Sequence, residues 1–278
     1  MSSTKKLMAI VPAAFFTAAI AGTSTTYAAD LLMDPPVVEA PEIVTKASGG
    51  WYLRGDITYD IHEIEGANYT TGWGNTDFAS TEADNAFDIG VGIGYQINES
   101  FRVDLTGEYV FEADFEGSTA GYCDYAAYAA GDLNCTSEDS SSFDALKLLA
   151  NAYVDLGNYG GFTPYVGAGI GGAYVRWGEM ESVNTCTYTA PTTCPGGIAA
   201  NTTTNATHGG VESWRFAWAL HTGFSYDIAH NMKLDLGYSY SRIEGGGMFQ
   251  WSGIGGTQGH DEGIDSHVLR AGVRYMIW

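Results

Sequence analysis

The sequence predicts an all-β protein, an eight-stranded antiparallel transmembrane β-barrel with short turns at one end and four long loops at the other. Three observations predict it. Hydrophobicity from Gly50 onward alternates with period two, the signature of half-buried strands, and not with the 3.6 of helices. Short and long connections follow one another in strict alternation around an even number of strands, as in transmembrane barrels. The chain also opens with an export signal, and past it no apolar run reaches the roughly 18 residues of a membrane-spanning helix.

The signal comes first. Lys5 and Lys6 precede an apolar stretch from Leu7 to Ala21, and small residues close at Thr26-Tyr-Ala28. A charged start, a short apolar middle and small residues at −3 and −1 place cleavage after Ala28, giving residues 1–28 as a signal peptide. Residues 29–49 carry Pro35, Pro36 and Pro41 among acids and small residues, and read as an extended periplasmic lead-in. Residues 50–278 form the barrel.

Eight alternating segments follow. In Trp51–His62, Trp51, Leu53, Ile57, Tyr59 and Ile61 share one face, and Arg54, Asp56, Thr58 and Asp60 the other. In Ala86–Tyr95, Phe87, Ile89, Val91, Ile93 and Tyr95 oppose Asp88 and three glycines; in Phe101–Glu112, Phe101, Val103, Leu105, Tyr109 and Phe111 oppose Arg102, Asp104, Glu108 and Glu112. Leu146, Leu148, Val154 and Leu156 oppose Lys147, Asn151 and Asp155. Thr163–Trp177 is Gly-rich, with Val166, Ala168, Ile170 and Tyr174 as its apolar face. Trp214, Phe216, Trp218, Leu220, Phe224 and Tyr226 oppose Arg215, His221, Ser225 and Asp227. Leu234, Leu236, Tyr238 and Tyr240 oppose Lys233, Asp235 and Ser239; Leu269, Val273, Tyr275 and Ile277 oppose Arg270 and Arg274.

Connections at 96–100, 157–162 and 228–231 are short and polar, as hairpin turns should be. Those at 63–84, 113–142, 178–212 and 243–263 are about 20 residues or longer, uncommon as structureless loops in a compact soluble domain. These four hold 17 of the 33 acids and no Lys or Arg. The net charge of −21 therefore describes an acidic crown above a roughly compensated interior, and it argues against nucleic-acid binding, which needs a basic footprint.

An eight-stranded barrel has an interior just wide enough for side chains to fill. The inward positions hold a lumen charge network of Arg54, Asp56, Asp88, Arg102, Asp104, Glu108, Lys147, Asp155, Arg215, Asp227, Lys233, Asp235, Arg270 and Arg274. Charges confined there must be paired or hydrated. Arg176 and Arg242 fall on the outward face at the crown ends of their strands, where Arg suits lipid phosphates.

Four cysteines allow three pairings; the two within-loop disulfides, Cys123–Cys135 and Cys186–Cys194, are favoured because each closes a short loop. Their spacing does not fit a zinc site. Gly167-Ala-Gly-Ile-Gly-Gly172 matches the dinucleotide fingerprint in letters but lacks the following helix, so no cofactor is expected. In Asp265-Ser266-His267, strand geometry sends Ser266 to the opposite face from its neighbours, so the three form no local triad.

Trp51-Tyr-Leu-Arg-Gly-Asp-Ile-Thr-Tyr-Asp60, Leu149-Ala-Asn-Ala-Tyr-Val-Asp-Leu-Gly157, Thr163-Pro-Tyr-Val-Gly-Ala-Gly-Ile-Gly171 and Val268-Leu-Arg-Ala-Gly-Val-Arg-Tyr275 resemble the opacity-protein/porin-like outer-membrane β-barrel family of Gram-negative bacteria. The resemblance covers the strands and not the loops. It implies an outer-membrane location, contact with membrane lipid and lipopolysaccharide, insertion by the barrel assembly machinery and a host or surface ligand at the loops. The function it implies is a non-enzymatic surface protein for envelope integrity and adhesion or recognition. A narrow porin or ligand-uptake barrel is the alternative. Family chains end on an aromatic residue in phase with the last strand, whereas Trp278 is out of phase with Tyr275.

Overall fold

A computed structural model of the chain describes residues 49–71, 74–121, 133–188, 202–251 and 256–277. The sequence-predicted signal peptide and nearly all of the lead-in lie outside these residues, as does Trp278.

Eight long strands make the ring: β1 (Gly50–Ile64), β5 (Ala86–Gln96), β6 (Phe101–Gly121), β7 (Leu133–Asp155), β8 (Phe162–Trp177), β11 (Glu212–Ala229), β12 (Met232–Gln250) and β13 (Gly259–Ile277). Each pairs antiparallel with the next, and β13 closes on β1 in unbroken register from Trp51↔Ile277 to Ile64↔Ile264. That register contains no bulge, so the phase of the last strand is not reset before Ile277. Closure leaves the ring without an exposed edge, the condition for a sheet to stand in lipid.

The outward residues of the lower half are apolar and exposed: Leu53, Ile57, Ile89, Val91, Leu105, Leu148, Ile170 and Leu220 among them. Aromatic pairs bound this band. Trp51–Tyr95 and Phe162–Tyr226 stand at the turn end, with Tyr109–Phe111, Tyr174–Trp214 and Trp218–Tyr240 at the other. Such girdles mark the two lipid–water interfaces.

Much of the four stretches expected to be loops is strand. β6 and β7 run 21 and 23 residues, about twice the length that crosses a membrane. Five further strands complete the upper wall: β2 (Ala67–Thr71), β3 (Gly74–Asp77), β4 (Ser80–Ala83), β9 (Met180–Tyr188) and β10 (Thr202–Gly210). β8 ends at Trp177 and β11 begins at Glu212; above them β9 pairs with β7, β10 with β9, and β10 with β12. β2 pairs with β13, β3 with β2, and β4 with β6. Taken locally, Ser140-Ser-Ser142 and Gly245-Gly-Gly247 carry loop signals. A neighbouring strand that keeps offering a ladder overrides that local preference.

Inside the upper wall lies an apolar plug. Phe115, Phe143, Val175, Trp177, Met180, Ile243, Met248, Phe249 and Ile264 are buried together. The ring of Trp177 meets Phe115 at 5.5 Å, edge on, and Phe143 at 5.1 Å. A bulge in β6 sets this up. Register jumps from Val110↔Ala145 to Ala113↔Phe143, so Phe111 and Glu112 are both exposed and Ala113 and Phe115 turn inward. Glu112, expected inside, is therefore outside.

Candidate functional site

The lower lumen is filled by charge. Even-numbered β1 residues point inward by the period of the strand, and the same parity rule carries Arg102, Asp104 and Glu108 in from β6. Room for them comes from the facing glycines. A Cβ at Gly94 would lie 2.2 Å from the Tyr52 ring, and one at Gly169 would lie 2.0 Å from Asn151 Oδ1. The fingerprint-like glycines of β8 thus make space for neighbouring side chains.

The network rises in layers. At the turn end Lys233 pairs with Asp227, both part-exposed, on a vestibule of about 520 Å³. Above it Arg274 donates to Asp235 (3.0 Å) and Ser225 (2.6 Å), and Arg102 to Asp155 (3.1 Å). The Arg102 guanidinium lies 4.1 Å from the Tyr153 ring centroid and 4.6 Å from that of Tyr165. Cation–π attraction of this kind favours a desolvated cation. Arg54 holds Asp56 through Nε and Nη2, both at 2.9 Å, while its Nη1 reaches Asp104 at 3.0 Å and the Tyr153 hydroxyl at 3.1 Å.

Highest in this network stands Lys147. Its Nζ lies 3.2 Å from Asp60 and 3.7 Å from Asp88 and is hydrogen-bonded to Glu108, whose other oxygen accepts from Arg270 at 3.0 Å. Neither oxygen of Asp88 accepts a hydrogen bond among the described residues. Asp60, Asp88 and Glu108 each offer an oxygen within 4.8 Å of the others, a spacing that could hold a metal ion. The Lys147 ammonium already stands among them, so the trio works as a lysine clamp. Parity placed Asp60 on the inward face with Arg54 and Asp56, but nothing along the chain says which strands' acids converge on Lys147.

Arg215, grouped with the lumen charges by parity, stands apart from them. It pairs with Asp261 at 2.8 and 2.7 Å, beside Gly247 in the upper wall. The two outward arginines are also partnered. Arg176 holds Asp144 (2.5 Å) and the Tyr109 hydroxyl (3.3 Å), while Arg242 reaches Glu65 (2.8 Å) and Asp265 (3.1 Å). Both clusters sit beside the upper aromatic girdle.

Histidines form two buried pairs with serine. His62 Nδ1 is 2.9 Å from Ser266 Oγ, and His221 Nδ1 is 2.7 Å from Ser239 Oγ, with His221 Nε2 3.1 Å from Asn151 Oδ1. Ser239, His221 and Asn151 have the order of a nucleophile, base and orienting amide. They come from β12, β11 and β7, so no local motif announces them. All three are buried in the lumen. Asp265 and His267 face out, to Arg242 and Tyr238, away from Ser266.

Cys123 and Cys194 lie outside the described residues. The backbones of Cys135 and Cys186 stand opposite each other in the β7–β9 register.

A family model described as an outer membrane protein beta-barrel domain matches residues 37–276. A protein of Brucella suis biovar 1, named only as uncharacterized, is 36% identical over 285 residues, covering 92% of this chain and 94% of that protein. A protein of Rickettsia bellii named "Putative adhesin" is 28% identical over 230 residues, covering 82% of this chain and 88% of its own length. Among solved structures, OprG from Pseudomonas aeruginosa shares 14% identity at a TM-score of 0.42, covering 83% of this chain and 96% of that one. Neisserial surface protein A shares 18% at a TM-score of 0.38, covering 82% and 97%. With the family model spanning residues 37–276, this chain belongs to the outer-membrane protein β-barrel domain family and resides in the outer membrane.

Proposed function

We propose that the protein is a non-enzymatic surface protein that supports the envelope and recognises a host or surface ligand through its acidic extracellular end. One observation carries the reading. The barrel is filled twice over, by ion pairs below and by the apolar plug above, while its upper wall turns acids outward: Glu63, Glu65, Asp114, Glu116, Glu138, Glu181 and Glu262 are all exposed. Paired charges on eight hydrogen-bonded strands are fixed in place, so they offer a solute no path that does not break them. The name of the Rickettsia bellii relative, an adhesin, agrees with a surface role.

In the same proposal residues 1–28 direct export, residues 29–49 form the periplasmic lead-in, and the barrel assembly machinery inserts the folded wall. Arg176 and Arg242 meet lipopolysaccharide phosphates at the rim, each with part of its charge already answered by a neighbouring acid. The deciding experiment is planar-bilayer conductance of refolded protein, together with adhesion of cells that display it. Silent bilayers and adhesion that is lost when the 122–132 and 189–201 segments are shortened are expected. Steady nanosiemens-level openings would overturn the reading in favour of a porin.

A further inference from the structure

At the extracellular end of the barrel a cavity of about 90 Å³ has two unlike walls. One wall is aromatic: Tyr69, Phe78, His208, Phe249 and Trp251. These rings are linked, Tyr69 to Phe78 and to Trp251 at 6.0 Å, and His208 to Phe249 at 5.6 Å, stacked. The opposite wall, from β6, β7 and β9, is polar and centres on Asp139. Thr119 Oγ1 and Ser137 Oγ are 2.6 Å apart, Ser137 donates to Asp139 Oδ2 at 2.6 Å, and Ser182 donates to Oδ1.

Asp139 is buried, with only 6% of its surface exposed, yet no ion pair includes it among the described residues. The sequence shows why. Every Lys and Arg from residue 50 onward is engaged elsewhere: Arg54, Arg102, Lys147, Arg270 and Arg274 in the lumen, Lys233 at its mouth, and Arg176, Arg215 and Arg242 with Asp144, Asp261 and Asp265. The segments 72–73, 122–132, 189–201 and 252–255 contain no Lys, Arg or His at all. The one titratable base lining the cavity is His208, which forms no ion pair with Asp139; burial lowers its pKa, against the opposing pull of Asp139. Its Nδ1 has no hydrogen-bond partner among the described residues. A buried carboxylate with two hydroxyl donors and no counter-ion is costly unless a cation completes it.

We infer that this cavity is a binding site for a small organic cation, an alkylated ammonium group whose charge faces Asp139 and whose methyl groups lie against the aromatic wall. Rings present the negative faces of their quadrupoles to such a cation, and methylated ammonium groups are weakly hydrated enough to enter. The volume matches a head group better than a whole sugar ring, and two of the wall's hydroxyls, Ser137 and Ser182, already donate to Asp139. Tyr69, Phe78, His208 and Trp251 are part-exposed, so the cavity opens at its aromatic lip while its floor is closed. The site rests on its own geometry and stands whether or not the protein is adhesive.

The test uses the full-length refolded protein in detergent micelles, titrated with choline and with its neutral isostere 3,3-dimethylbutan-1-ol, read by calorimetry and tryptophan fluorescence. Choline should bind at least about ten-fold more tightly than the isostere, in keeping with a cation in an aromatic cage. Asp139→Asn should erase that preference, and Trp251→Ala should weaken choline with little effect on the heat-modifiable gel mobility that reports a folded barrel. Three results would each overturn the assignment: equal binding of the two probes, choline binding unchanged in Asp139→Asn, or no choline binding by the folded wild type. Binding of glucose in preference to choline would also overturn it, since it would assign the same walls to a carbohydrate.

Discussion

The lower and upper halves of this barrel are built from the same period-two strands but are turned inside out relative to each other. Below the girdle of Tyr109, Trp214 and Trp218, apolar residues face outward and charges face in. Above it Glu63, Asp114, Glu116 and Glu138 face outward while Phe115, Phe143, Trp177 and Met248 face in. The surroundings account for the difference. Lipid accepts only apolar side chains, so the lower barrel must put its polar residues where they can pair with one another. Water reverses that requirement, and the upper barrel packs like the core of a soluble protein. The β6 bulge at Phe111–Glu112 makes the reversal on one strand by shifting its parity at the interface.

Because of that contrast, the two halves should fail in different ways. The largest losses are expected inside. Lys147→Met leaves Asp60, Asp88 and Glu108 around an uncharged side chain, and should cost about 3–5 kcal/mol, as removal of one partner from a buried ion pair does. Phe143→Ala should cost about as much in the upper half, through the cavity it leaves beside Trp177. Urea titration of the protein refolded into liposomes measures both; a loss below about 1 kcal/mol for either would mean that its half is not packed as described.

An intermediate effect separates the outer surfaces. Leu105→Arg puts a cation in the lipid-facing band and should cost about 2–4 kcal/mol. Glu116→Arg, eleven positions farther along β6 and exposed above the girdle, should stay within about 0.5 kcal/mol of wild type. Equal penalties would show that the interface lies higher than the aromatic residues place it. The smallest effect is expected within the lumen itself. Asp88→Asn should leave stability within about 0.5 kcal/mol of wild type or raise it, because this carboxylate accepts no hydrogen bond and Lys147 keeps two other acids. A marked loss would make Asp88 a full member of the clamp.

The lower half was legible strand by strand. Each outward Ile, Leu or Val and each inward Asp or Arg declares its face through its immediate neighbours, and parity alone separates Arg54 from Leu53. Partners were not legible. Parity put Lys147 inside, but only closure of the ring sets it against acids from β1, β5 and β6. Arg215 shows the limit, being inward by parity yet held by Asp261 well away from the other lumen charges. His221, Ser239 and Asn151 were likewise separate features in the chain.

The sequence by itself determined the eight crossings, their lipid faces and the acidic outer end, because a strand in lipid must state its alternation locally, with nothing beyond the membrane to correct it. Only the tertiary structure decided what stands above the membrane. Phe115, Phe143, Trp177, Met180 and Met248 come from five different strands, and Ser- and Gly-rich stretches between them take their form from the neighbours that pair with them. The buried Asp139 is the sharpest case: an ordinary acid in a polar stretch, it becomes a buried carboxyl group with no ion pair among the described residues, facing an aromatic wall, only when β6, β7, β9 and β10 close around it.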